Sequence, residues 1–280
     1  MDIIDNVPDM QRRSLAWKQA GETLALVPTS GALHPGHTAQ VRQAREWADR
    51  VVLSVFLNPR EFGTSEEFDR YPREPDSDQE KAEAAGVDVL FRPATHAMIG
   101  PRFATSVEEH VRSKGLCGVS RPHYFKGVAT GVVLLLNAVW PDRLVFSRHH
   151  AQTAAVVEQV VNDLGYPTTV HRVDTVRDSD GMAFSPRNRF LSPEQRRDAV
   201  KIYQALQGGK AIADQGIRSV DRIMAEVTHL MSQSRRIRVI YVSLVDPLTM
   251  QPLKELKPGE SLLVVAAWVD QIRLIDNILL

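Results

Sequence analysis

The stretch Leu24-Ala25-Leu26-Val27-Pro28-Thr29-Ser30-Gly31-Ala32-Leu33-His34-Pro35-Gly36-His37 constrains the fold of this chain more than any other. Its apolar head is long enough for one buried strand, Pro28 and Gly31 stop it, and Thr38 to Trp47, with Val41, Ala44 and Ala48 on one stripe, reads as a helix. Two histidines therefore fall where a strand hands over to a helix. In an open α/β sheet that crevice lies at the carboxyl end of the strand and takes ligands, and a helix start offers free N–H groups and a partial positive charge to phosphates. Gly36 lets the backbone approach a phosphate, with His34 and His37 as two donors beside it.

The alternation continues. Val51 to Leu57 is a continuous apolar run of the kind shown by a parallel strand covered on both faces. Thr64 and Glu67 have the spacing of a capping box for a short helix, Asp76 to Ala85 reads as another helix, and Val87 to Phe91 as the next strand. Residues 92 to 126 carry Gly100, Pro101, Gly115, Gly118 and Pro122 and read as mobile loops and short strands. Gly127 to Val139 is apolar almost all round, which predicts a helix buried between the sheet and either another helix or a second subunit. Strand 144–146, helix 150–164 and strand 168–173 complete a Rossmann-like doubly wound parallel sheet. After the turn-rich Asp178-Ser179-Asp180-Gly181 the pattern changes. Ser192-Pro193-Glu194-Gln195 opens a helix with a cap, a first-turn proline and a capping-box glutamine. Helices to about 214 and over 219–232 precede strands at 237–244, 262–267 and 273–275, so residues 176–280 are expected to form a smaller α+β domain beside a larger one over 1–175.

Composition narrows the partners. With 34 basic and 34 acidic residues the electrostatic case for nucleic acid or an anionic membrane as main partner disappears, and small molecules take its place. Cys117 is the only cysteine, which excludes an internal disulfide and a multi-cysteine zinc site. No apolar stretch reaches membrane-spanning length and Met1 to Arg13 lacks a signal-type apolar region, so the cytoplasm is the expected address.

His34-Pro35-Gly36-His37 resembles the nucleotide-gripping H-x-G-H of the nucleotidyl-transfer superfamily, and Val27 to His37 resembles the pantothenate synthetase (pantoate–β-alanine ligase) family. The likeness returns at four separated places. These are Phe56-Leu57-Asn58-Pro59 with Phe62 and Arg70-Tyr71-Pro72-Arg73; Ser120-Arg121-Pro122 with Phe125 and Gly127-Val128; Arg177 to Leu191; and Val264 to Asn277. The resemblance implies ATP-dependent activation of a carboxylate as an acyl adenylate, loss of pyrophosphate, and attack by an amine. It implies Mg²⁺ carried in on the phosphates, no metal held by the protein alone, a homodimer, and a C-terminal domain that closes over ATP. By position, His34, His37, His149 and Arg187 inherit the catalytic work. Pro28, Thr29, Gly36, His37, Ser147, His150, Ser185 and Arg187 inherit the nucleotide, and Ser30, Asn58, Glu61, Tyr71 and Thr153 the acid.

The departures from the family pattern cluster on those same positions. Ser30 stands for the family's methionine, Glu61 and Thr153 for its two substrate glutamines, His149 for a phosphate-contacting lysine, and His150 for an aspartate. Pro186 replaces a serine, Cys117 a glutamate, and His123-Tyr124 a Gly-His. An ionised Glu61 presents only acceptors and a charge that repels a nearby carboxylate, whereas a glutamine presents donor and acceptor. A neutral His149 carries less charge than a lysine, and Arg148 next to it offers compensation. The favoured expectation is a ligase of this family acting on an acid other than pantoate, such as an amino acid whose ammonium meets Glu61. The alternatives are an authentic pantothenate synthetase, and a paralogue without ligase chemistry that binds a small molecule or transfers the nucleotide and stops.

Overall fold

The computed structural model describes residues 1–63 and 65–280, with the backbone alone for residues 65–67, so the capping box expected at Thr64 and Glu67 lies outside the described residues. The chain divides into two units. One comprises Met1–His110 and Arg121–Asp174, the other Val111–Ser120 and Thr175–Leu280. The second unit thus takes in Val111–Ser120, which a single boundary at 175/176 assigns to the first.

The first unit is built on six parallel strands. In chain order its elements begin with β1 (Asp2–Ile4), α1 (Val7–Gln19), β2 (Leu24–Thr29), α2 (Pro35–Trp47), β3 (Arg50–Val55), the 3-10 turn Pro59–Glu61, α3 (Ser65–Arg70) and α4 (Pro75–Ala84). Then come β4 (Val89–Phe91), α5 (Thr95–Met98), α6 (Cys117–Ser120, part of the second unit), α7 (Tyr124–Val139), β5 (Arg143–Ser147), the 3-10 turn Arg148–His150, α8 (Ala151–Asp163) and β6 (Thr169–Val173). Strand order is β1-β4-β3-β2-β5-β6. From β2 the chain steps outward through β3 and β4, then returns to lay β5 on the other side of β2. The topological switch point therefore lies between β2 and β5, at the carboxyl ends of which such sheets bind ligands.

Several boundaries differ from the sequence reading for identifiable reasons. β2 runs through Pro28 to Thr29, because β5 pairs only with Ala25 and Leu26 and leaves the strand paired on the β3 side alone beyond that. Residues 92 to 126 contain the short helices α5 and α6 and no strand among the described residues. Helix α7 is covered within its own unit by α1, α8 and the 3-10 turn Pro59–Glu61, which accounts for its apolar circumference without a second subunit.

The second unit carries α9 (Pro193–Asp214), α10 (Val220–Ser232) and the antiparallel sheet β7 (Ile237–Val245), β8 (Leu262–Val269), β9 (Ile272–Leu279). Both helices pack Leu206, Ile223, Val227 and Met231 against Leu244, Leu263 and Val265 of the sheet. Helix α9 opens with the expected reciprocal cap, Ser192 Oγ accepting from Gln195 N and Gln195 Oε1 accepting from Ser192 N. Among the described residues no helix is long and apolar enough to cross a membrane.

Candidate active site

Between β2 and α2 the backbone turns through Gly31 (φ 84°) and Ala32 (φ 52°). A left-handed residue with a Cβ costs roughly 1–2 kcal/mol, so something must hold Ala32 there. The buried carboxylate of Asp78, on α4, accepts from Ala32 N at 2.9 Å and from Leu33 N at 2.7 Å, one oxygen for each. One helical turn further on, Lys81 Nζ donates to Leu33 O at 2.9 Å. Helix α4 therefore clamps the loop through both the N–H and the C=O of the residue before His34.

His34 is the N-cap of α2. Its Nδ1 accepts from Gly36 N at 3.2 Å, while His37 Nδ1 accepts from His34 N at 3.3 Å, a capping box made of two imidazoles. The rings stack with centroids 3.9 Å apart. Since both Nδ1 atoms accept, a neutral ring must carry its proton on Nε2, and each imidazole presents one Nε2–H donor. Burial is the main cause of a His34 pKa lowered to about 4, with the charges of His149 and Lys81 adding to it. His37 is pushed well below the ordinary histidine value, again chiefly by burial and then by His34, His150 and Lys81. Both rings are neutral donors at pH 7. A lowered folded pKa means that the unfolded chain takes up the proton first. The stability contributed by a neutral His34 is thus present above pH 6.5 and lost as pH falls from there toward 4.

The helix start is not the row of free N–H groups expected from the sequence. Pro35 has none, Gly36 N is spent on His34 Nδ1, and His37 N and Thr38 N both go to His34 O. Gly36 also makes room for the ring, because a Cβ there would lie 2.9 Å from His34 Cε1.

At the end of the neighbouring β5, Ser147 Oγ accepts from His149 N at 3.2 Å and starts the 3-10 turn that carries His149, buried, and His150, exposed. Their rings meet edge to face with centroids 4.8 Å apart. Since β2 and β5 are paired neighbours, the two histidine pairs follow adjoining strand ends, and the charge of His149 acts on His34 and that of His150 on His37. Arg148 is exposed and paired with Asp174 at 2.9 Å, which engages the charge expected to compensate for His149. Thr153 follows one turn into α8, half-buried.

The residues expected to hold the nucleotide at the end of β2 and the acid beside it divide into holders and presenters. Thr29 Oγ1 donates to Ser54 O at 2.7 Å and receives Gly31 N, so its hydroxyl is committed to the loop. Asn58 is buried, with Nδ2 donating to Gly127 O at 2.9 Å and to Glu61 Oε1 at 3.1 Å, and Oδ1 accepting from Arg60 N. Its amide is engaged on both sides, and it fixes the turn that presents Glu61. Two glycines of α7 let that turn lie against the helix. A Cβ on Gly127 would stand 2.3 Å from Arg60 O, and one on Gly131 2.6 Å from Asn58 Nδ2. Arg121 completes the support by donating to Glu61 O at 2.7 Å, its guanidinium 3.9 Å from the Tyr124 ring centroid. Tyr71 meets Phe62 edge to face at 5.7 Å. Ser30 is half-buried and follows Pro28 and Thr29 at the strand end.

In the second unit, Ser185 Oγ accepts from Arg187 N at 3.3 Å and starts the 3-10 turn Pro186–Phe190, while Asn188 Nδ2 ties that turn to Ala183 O at 2.9 Å. Cys117 lies in this unit with Sγ 3.2 Å from Tyr241 Oη and 3.4 Å from Arg273 Nη2. Asp78 and Lys81 are beyond the reach of sequence reasoning, since nothing in a polar helix marks which of its charged residues faces a loop 45 residues upstream.

A family model described as Pantoate-beta-alanine ligase matches residues 2–279. The chain belongs to the pantoate–β-alanine ligase family. This is a family of ATP-dependent ligases that join a carboxylate to an amine and release AMP and pyrophosphate. The solved pantothenate synthetase of Thermus thermophilus is similar with a TM-score of 0.93 and 37% identity, covering 99% of each chain. A second structure, pantoate-beta-alanine ligase from Francisella tularensis complexed with beta-gamma ATP and beta-alanine, has a TM-score of 0.82 and 26% identity over 100% of this chain and 97% of that one. The bifunctional pantoate ligase/cytidylate kinase of Synechococcus sp. (strain JA-3-3Ab) is 42% identical over 286 residues. The chain spans about half of that relative, 52% of its length, and is matched over 100% of its own.

Proposed function

We propose that this member of the family joins pantoate to β-alanine at the expense of ATP. The observation that carries the reading is the locked pair His34 and His37, whose Nδ1 atoms are both committed as acceptors, so that each neutral ring keeps its proton on Nε2 beside the switch point of the sheet. A pantoate carboxylate oxygen attacks the α-phosphorus, the bond to the bridging oxygen breaks, and pyrophosphate leaves with that electron pair. The β-alanine amine then attacks the acyl carbon of the adenylate, gives up a proton, and AMP departs. Charge grows on the phosphoryl oxygens in the first step. Donors already aimed there supply stabilisation without reorganising. Ser185 and Arg187 are assigned to the nucleotide by their match to the family motif.

Mg²⁺ would neutralise phosphate charge in this reaction. Among the described residues no group of three or more His, Cys, Asp or Glu side chains is arranged to hold a metal. Neutral imidazoles are poor ligands for so hard a cation, which fits an ion held by the phosphates themselves.

The expectation of a different acid gives way to pantoate, because the likeness to proteins named for pantoate extends over the whole chain. Glu61 is compatible with it. Pantoate carries two hydroxyl groups that can donate to a carboxylate, and with its own carboxylate turned to the α-phosphate it is the hydroxyl end that meets Glu61. A second reading, in which Glu61 receives the ammonium of an amino acid, is favoured by that one side chain. ATP–pyrophosphate exchange at pH 7 with pantoate and with a panel of amino acids separates the two. Pantoate should drive the fastest exchange; an amino acid that outruns it overturns the assignment, and no exchange with any acid makes the chain a paralogue without ligase chemistry. A homodimer is proposed on the family resemblance alone, and light scattering that returns a monomer mass at micromolar concentration refutes it.

A further inference from the structure

Beyond Arg187 and an ion carried in on the phosphates, the imidazole pair of the first unit brings no positive charge of its own. His34 and His37 are neutral, and Arg148 is paired with Asp174. A polyphosphate brought to this end of the sheet needs a cation, because neutral donors offset only part of its charge. Lys81 is in position to be that cation. Its Nζ is anchored on Leu33 O, the carbonyl immediately before His34, and this uses one of its three N–H groups. The other two meet no acceptor among the described residues. Its stem is half-buried, held in α4 one turn after Asp78, whose carboxylate clamps the same loop. The ammonium lies close enough that its charge acts on both imidazoles.

We propose that Lys81 contacts the polyphosphate of the nucleotide, its ammonium standing beside the His34 and His37 donors and supplying the positive charge that they lack. The geometry makes the assignment specific. A lysine fixed through one N–H to the phosphate-facing loop has its head pre-placed, so little side-chain entropy remains to be lost on binding. Asp78 is then a positioning residue. It holds the N–H groups of Ala32 and Leu33 and so sets the carbonyl on which Lys81 rests. This proposal rests on the reading of the imidazole pair as a phosphate site, and not on the identity of the acid.

Binding of inorganic pyrophosphate and of ATP, measured by calorimetry in the absence of any acid, tests it on the intact chain. Lys81→Met should weaken both by about tenfold to a hundredfold, the loss expected for one hydrogen bond to a charged group. Lys81→Gln decides between charge and bracing. Its amide can still donate to Leu33 O, so a residue that only braced the loop would leave pyrophosphate binding as in the wild type. The expected result is that Gln loses as much as Met, that Lys81→Arg restores most of the binding, and that the salt dependence of pyrophosphate affinity flattens in Met and Gln alike. Wild-type binding in Lys81→Gln overturns the proposal, as does unchanged binding in Lys81→Met. If wild type binds pyrophosphate but pantoate fails to drive exchange, the choice of acid is wrong and the lysine's assignment stands.

Discussion

His37→Ala is expected to lower the rate of pantoate-dependent pyrophosphate exchange by a factor of about 10² to 10³ while the chain stays folded. Removing one preorganised donor from a developing oxyanion typically costs about 3–4 kcal/mol of transition-state stabilisation. The effect at His37 is larger than the loss of one Nε2–H alone, because His37 Nδ1 is also the acceptor for His34 N and its ring is stacked on that of His34. Without it, His34 loses the partner that fixes its backbone at the N-cap and one wall of its burial. The fold should survive, since the apolar face of α2 is carried by Val41 and Ala44, which the substitution leaves in place. Steady-state exchange kinetics with a denaturant titration of the same preparation make the comparison. Wild-type exchange in the variant removes the imidazole pair from the site.

The second large effect is on stability. Asp276 on β9 is buried and receives two hydrogen bonds from Arg177, at 2.7 and 2.9 Å. Arg177 also donates to Gly181 O and Asn277 O, and its guanidinium lies 3.7 Å from the Tyr203 ring centroid. Asp276→Ala strands that guanidinium with its side chain 17% exposed. Breaking a buried pair from one side costs about 3–5 kcal/mol, whereas an exposed pair is worth about 1 kcal/mol or less. Unfolding in urea should therefore show Asp276→Ala destabilised several-fold more than Glu194→Ala, which removes the exposed pair with Arg197. Equal losses in the two variants would mean that Arg177 finds other partners.

The alternation of strands and helices is legible because parallel strands covered on both faces write themselves as unbroken apolar runs, as in Val51 to Leu57 and Leu144-Val145-Phe146. Strand β1 and helix α1 are absent from the sequence reading, although Asn6 caps α1 by accepting from Asp9 N and Pro8 stands in its first turn. A three-residue edge strand carries too little pattern to register. The histidines of the site are legible from their place after β2, but their work is not. Whether an imidazole is cation or neutral donor depends on which nitrogen accepts and on burial, both tertiary facts. Asn58 illustrates the same gap, since the sequence marks it as a contact to substrate and only the fold shows its amide spent on Gly127 and Glu61. Gly127 and Gly131 look like weak points in an apolar helix and are the surface on which the Glu61 turn rests.

The chemistry assigned to this site depends above all on His34 and His37 being neutral at working pH with their protons on Nε2. Nitrogen NMR of the chain labelled in histidine, followed from pH 8 to pH 4, reads tautomer and charge of each ring directly, with His34→Ala and His37→Ala spectra to assign the signals. The expected result is two rings in the Nε2–H form at pH 7, with His34 taking up its proton only near pH 4 and His37 also titrating well below 6.5. Either ring found protonated at pH 7, or in the Nδ1–H form, would contradict the account.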